Sequence, residues 1–152
     1  MAQTTVEVEY SELEKLIENL ASEVSLKVGV LAGATNIETG ENIAEYAVKH
    51  EYGIGVPPRP FLRNTISKRR DQWTQELSQA LRAQDFDVKK AFEMIQGAVV
   101  GDVMTTITEG RFIKNSPKTI EEKKLKKRPK PNAPLIDSGS LLTSIGAEVI
   151  TK

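Results

Sequence analysis

The side chains that could do chemistry in this chain fall into a few small groups. His50, Glu51 and Tyr52 stand side by side and offer an imidazole, a carboxylate and a phenol. No nucleophile, base and orienting group come with them, and a histidine ending a helix is better read as a cation favoured by the helix dipole. Asp137-Ser138-Gly139-Ser140 offers serine hydroxyls. It lacks the G-x-S-x-G turn and a second histidine to serve it, so it reads as a capped turn. Glu7, Glu9, Glu12 and Glu14 match no calcium-loop spacing and read as a solvated acidic surface. Gly53-x-Gly55 has no lysine or helix start after it, so it is no phosphate loop. With no cysteine and a single histidine, the chain has neither a thiolate nor a multi-histidine metal site. The expectation is a protein with no catalytic set, no cofactor and no metal.

One constellation is electrostatic. Lys123-Lys124-Leu125-Lys126-Lys127-Arg128-Pro129-Lys130 is a basic run without interleaved aromatics. It would meet phosphates without stacking bases or reading sequence. The net charge of zero hides an asymmetry around it. Residues 1–50 hold nine acids and three bases, a net of −6, and residues 111–134 hold nine bases and two acids, a net of +7. Opposite ends of this kind suit contact between neighbouring copies or with another partner. Residues 111–134 also hold four of the seven prolines. That predicts a segment that is mobile in the free subunit and orders on assembly against an acidic surface.

The elements that must position these groups can be read in turn. Val6, Val8 and Tyr10 alternate with glutamates and predict a strand. Ser11 predicts the cap of a three-turn helix carrying Leu13, Leu16, Ile17 and Leu20 on one face. Leu26, Val28 and Val30 predict a second strand, and Ala32 to Asn42 a loop or hairpin tip. Asn42 predicts a helix cap ahead of Ile43 to Val48, with Glu45 and Lys49 paired on its outer face. Gly53 and Gly55 then let the chain turn, and Pro57, Pro58 and Pro60 stiffen it into a strut ended by Arg59 and Phe61.

A long helix follows, with Leu62, Ile66, Trp73, Leu77 and Leu81 on one face and Lys68, Arg69 and Arg70 beside it. A second starts near Asp85 or Asp87 and carries Val88, Phe92, Ile95, Val99, Val103 and Ile107 at near-constant spacing. Gly97 and Gly101 on that helix predict a close approach by another element, and Gly110 its end. A short helix over Pro117 to Lys124, a turn capped by Asp137 or Ser138, and a last strand with Ile145, Ala147 and Val149 complete the chain. The predicted fold class is α+β. A small, mostly antiparallel sheet of three or four strands packs on two long helices, with a shorter helix and an extended basic loop over 111–134. No internal repeat or second core is present, so residues 1–152 read as a single domain. No apolar run is long enough to cross a bilayer, and the start shows no secretory leader.

Two blocks resemble a known family. Ala44-Glu45-Tyr46-Ala47, His50-Glu51-Tyr52-Gly53 and Pro57-Pro58-Arg59-Pro60-Phe61-Leu62-Arg63 form the first, and Pro134-Leu135-Ile136-Asp137-Ser138-Gly139-Ser140-Leu141-Leu142-Thr143-Ser144-Ile145 the second. In this order they resemble the tail-completion and virion-morphogenesis (neck) proteins of tailed bacteriophages. Tyr52 stands where that family commonly has Phe, and Ser138 where it commonly has Thr. The resemblance implies a structural protein of the virion tail or neck, assembled in the host cytoplasm. It implies a homohexameric ring joining or terminating the tail at the head–tail interface, with connector or adaptor, tail-terminator or tail-tube proteins as neighbours. The expected assembly interface comprises Pro57, Pro58, Arg59, Pro60, Phe61 and Arg63 of the strut, and Lys123, Lys124, Lys126, Lys127 and Arg128 of the basic run. The alternative is a small DNA-binding protein that contacts phosphates through residues 123–130. Non-specific contact with double-stranded DNA in the channel is compatible with either, and neither involves a membrane.

Overall fold

Apolar residues four apart make the central helix, and the rest of the fold is arranged on it. In the computed structural model, which describes residues 10–152, helix α4 runs Val88–Glu109. It buries Ala91, Ile95, Val99, Val103 and Ile107 along one stripe. Asp87 caps it, its carboxylate accepting the Lys90 N–H at 3.1 Å. Gly110 ends it in a place only glycine fits, because a Cβ there would lie 2.3 Å from the Thr106 carbonyl oxygen and 2.5 Å from the Phe112 ring.

Helix α3, Phe61–Ala83, packs against α4. A tight turn joins them, with Asp85 and Phe86 both at positive φ. Trp73, Leu77 and Leu81 of α3 pack with Ile95 and Val99 of α4 in one apolar cluster. Trp73 also donates its indole N–H to the Asp102 carboxylate at 2.8 Å. A second cluster joins Ile43, Ala47, Phe61, Val103, Ile107, Leu135, Leu141 and Ile145.

The sheet has two strands. β1, Val24–Val30, pairs antiparallel with β2, Ile145–Thr151, from Val24↔Thr151 to Val30↔Ile145. A two-stranded ribbon is marginal alone, and here α4 lies against both strands. The expected sheet of three or four strands is therefore corrected to two among the described residues. Val6 and Val8 of the expected first strand lie outside the described residues. Tyr10, assigned to the same strand, instead opens α1, Tyr10–Ala21, and Ser11 sits inside that helix rather than capping it. The loop before Ile43 adds only an isolated bridge, Thr35↔Asn42.

Helix α2 is longer than its apolar pattern suggested, Ile43–Tyr52. Asn42 caps it as expected, accepting the N–H groups of Ala44 and Glu45 at 2.9 and 3.2 Å. Gly53 closes it at φ 73, with Pro58 packed where a Cβ would point. Lys49 pairs with Glu41 at 3.5 Å rather than with Glu45.

Residues 111–134 are not an extended loop throughout. Helix α5 spans Pro117–Leu125, capped by the Ser116 hydroxyl. Helix α6, Ser140–Thr143, begins after Gly139 at φ 86; Gly139 has no side chain to cap it, but the Ser138 hydroxyl accepts the Ser140 N–H at 3.4 Å, while Asp137 turns to Arg128. Gly97 and Gly101 meet no close neighbour, since a Cβ at either would find nothing within 4 Å. The close approach expected of them is not found among the described residues.

Candidate functional site

The strut turns its cation inward. Arg59 is buried, although three prolines surround it. Its backbone N–H donates to the His50 carbonyl at 2.6 Å, folding the strut back on the end of α2. Its Nε donates to the Ile113 carbonyl at 2.9 Å, and Nη2 to the Lys114 carbonyl at 3.4 Å and to Asn115 Oδ1 at 3.2 Å. Nη1 lies 3.3 Å from His50 Nδ1. Among the described residues no carboxylate bonds to this guanidinium, and carbonyl oxygens and one imidazole nitrogen satisfy it instead.

That arrangement fixes the state of His50. Burial, with Arg59 and Lys123 nearby, pushes its pKa down to about 4. The imidazole is therefore neutral at pH 7, and Nδ1 accepts from Arg59. The reading of His50 as a dipole-favoured cation is corrected: it does end a helix, but desolvation next to a buried arginine outweighs the dipole. Tyr46 packs against it with ring centroids 4.4 Å apart and planes tilted by 57°, and burial pushes the phenol up to about 12. Neither group is poised to exchange protons at neutral pH.

Lys123 continues the network. It is buried, and its Nζ donates to the carbonyls of Ala133 at 2.8 Å and Ile136 at 2.7 Å. Desolvation lowers its pKa. Asn115 holds the same segment from the other side, donating to the carbonyls of Pro131 and Ala133 at 3.4 and 3.2 Å. Arg59, Asn115 and Lys123 thus tie the strut, the approach to α5 and the segment before α6 together.

Glu51 is the third buried charge. It accepts the N–H groups of Leu62 and Arg63 and the Arg63 Nε, each at 3.0 Å. Pro60 provides no side-chain cap for α3, so a carboxylate from α2 caps it instead. Arg63 also lies over the Tyr52 ring, 5.0 Å from its centroid.

The expected interface residues therefore divide. Arg59, Phe61 and Lys123 are buried in their own subunit. Arg128 bonds to Glu38 and, at 3.1 Å, to Asp137, leaving 14% of its side chain exposed. The Arg128 hydrogen bond holds the Glu38 carboxyl below its usual range. One pairing of acidic and basic ends thus occurs inside the chain, not between copies. Pro57, Pro58, Arg63, Lys124, Lys126 and Lys127 stay exposed, and Pro60 is half-buried. Asn115 and Glu51 went unread as anchors. For Glu51 a signal existed, an acid shortly before a helix start whose own residues offer no cap.

A further feature lies along α3. An open apolar groove of about 470 Å3 runs between β1 and α3, with Ile95 and Val99 of α4 in its lining. A second hollow of about 420 Å3 continues it towards α2, and Leu62 and Ile66 line both. Among the described residues there is no cluster of His, Asp or Glu fit to hold a metal, and no helix long and apolar enough to cross a membrane. No protein-family model, curated protein or solved structure matches this chain.

Proposed function

We propose that this chain is a structural subunit of a tailed-phage neck, of the tail-completion type. Six copies close into a ring that joins or terminates the tail at the head–tail interface. The observation that carries the reading is where the two resembling blocks meet. Ile43, Ala47 and Phe61 from one side of the chain pack in one cluster with Leu135, Leu141 and Ile145 from the other. Residues that support a shared architecture should converge in this way, and here they are used in packing and buried hydrogen bonds rather than aimed at a substrate. The ring's neighbours would be connector or adaptor, tail-terminator or tail-tube proteins. A heterologous patch repeated about an axis closes such a ring.

Native mass spectrometry of the purified chain tests this reading. The expected species is six times the 16.8 kDa subunit. A monomer that shifts double-stranded DNA would overturn it in favour of the phosphate-binding alternative. In that case Lys124→Glu, Lys126→Glu and Lys127→Glu together should abolish the shift, since these side chains stay exposed while Lys123 is buried.

A further inference from the structure

We infer that α1 of one copy docks in the β1–α3 groove of the next, and that this contact links subunits in the ring. The inference rests on the ring reading and names its interface.

Among the described residues nothing covers the apolar face of α1. Leu13, Ile17 and Leu20 are 42%, 57% and 52% exposed, although they share one helical face. The corner after α1 is short and tied: Ser22 Oγ donates to the Asn19 carbonyl at 2.7 Å, and the Val24 N–H to the Ser22 carbonyl at 3.0 Å. A corner of this kind sets α1 at the end of β1 and leaves the groove beside β1 open. No described residue in turn fills the groove, and Ile66 on its wall is 51% exposed.

Size and charge both favour a second copy of α1 as that occupant. Twelve residues of helix span roughly 18 Å, and α3 from Leu62 to Leu77 spans roughly 22 Å. By sequence α1 carries Glu12, Glu14 and Glu18 against Lys15, a net of −2. Of the basic side chains of α3, Arg70 lines the groove, while Arg63 and Arg69 pair with Glu51 and Asp102 of their own subunit. An acidic amphipathic helix in an apolar groove that carries one cation, Arg70, is a helix-in-groove contact. Because the helix and the groove are different surfaces of one subunit, the contact is head-to-tail and can close a ring.

The chain has no cysteine, so placed cysteines report the contact directly. Full-length Ile17→Cys and Ile66→Cys chains, both altered at exposed positions, are co-expressed and mildly oxidised. A peptide linking 17 to 66 is expected from this mixture, where it can arise only between copies. The double variant should run as a ladder on a non-reducing gel. If the double variant instead closes within one chain and the mixture gives no link, the subunit's own α1 fills the groove and the inference fails. If native mass spectrometry shows a ring while neither sample links 17 to 66, the ring reading stands and this interface is wrong. A monomer at every concentration overturns both. Ile17→Asp supplies an independent arm. It should leave the far-UV spectrum unchanged and raise the concentration at which the ring dissociates by roughly tenfold or more, as loss of a buried apolar anchor does. An unchanged dissociation concentration overturns the inference.

Discussion

Replacing Glu51 by alanine tests whether α3 is capped from outside itself. The side chain is 6% exposed and accepts three hydrogen bonds at 3.0 Å. Two come from N–H groups in the first turn of α3, which have no partner within the helix. Loss of a cap of this kind costs about 0.5–2 kcal/mol. Stranding a second N–H in a part-buried position adds about 1–2 kcal/mol. The Arg63 side chain is 56% exposed and regains water, so its share stays below about 1 kcal/mol. Glu51→Ala should therefore cost about 2–4 kcal/mol, which in a chain of this length lowers Tm by about 5–15 °C. Glu51→Gln should fall in between, because its amide NH2 faces an N–H where an acceptor is needed. Arg63→Ala should cost less than either. Melting is followed by far-UV circular dichroism at one fixed protein concentration, since assembly shifts Tm. A Glu51→Ala chain that melts with the wild type, or an Arg63→Ala chain that loses as much, would refute the capping argument.

Other outcomes follow from the same network. Phe61 has no exposed surface, so Phe61→Ala should cost about 3–5 kcal/mol in a denaturant titration. Lys123→Met keeps the side-chain volume but leaves two carbonyls without their donor, and should destabilise by about 1–3 kcal/mol, whereas exposed Lys124→Met should change little. His50 has a folded pKa of about 4, below its unfolded value of 6.5. The unfolded chain thus takes up the proton first, and this contribution to stability is complete above pH 6.5 and lost as pH falls towards 4. His50→Gln should flatten the pH dependence of unfolding over that window, and an NMR titration should show the imidazole still neutral at pH 5.5.

Periodic elements were legible in the sequence because their signal is local. The four-residue spacing of Ile95, Val99, Val103 and Ile107 dictates one buried helix face, and Asn42 and Asp87 sit where caps belong. Tyr10 shows the limit of such reading. It alternates with Val8, but it also stands three and seven residues before Leu13 and Ile17, and the helical period won. The charged residues of the strut and the basic run were misread for a different reason. Arg59 finds its acceptors at residues 113–115, and Lys123 at 133 and 136, so no window around either residue reveals them. A basic run also looks uniform until helix geometry sorts it: within α5 only Lys123 is buried, while Lys124 stays in solvent.

The pairing of β1 with β2 also has a consequence in time. Its rungs join residues that stand 115 apart at Val30↔Ile145 and 127 apart at Val24↔Thr151. Closing so long a loop is slow, whereas the α3–α4 hairpin needs only its four-residue turn. A nascent chain can therefore form that hairpin early, but β1 must wait for its partner strand until the segment after Ser144 has been made. Until then the β1 edge that pairs with β2 stays open, the kind of surface on which chains aggregate. Slowing translation over the last turns before β2 should lengthen that interval and lower the yield of folded subunit, with no change in any residue of the product.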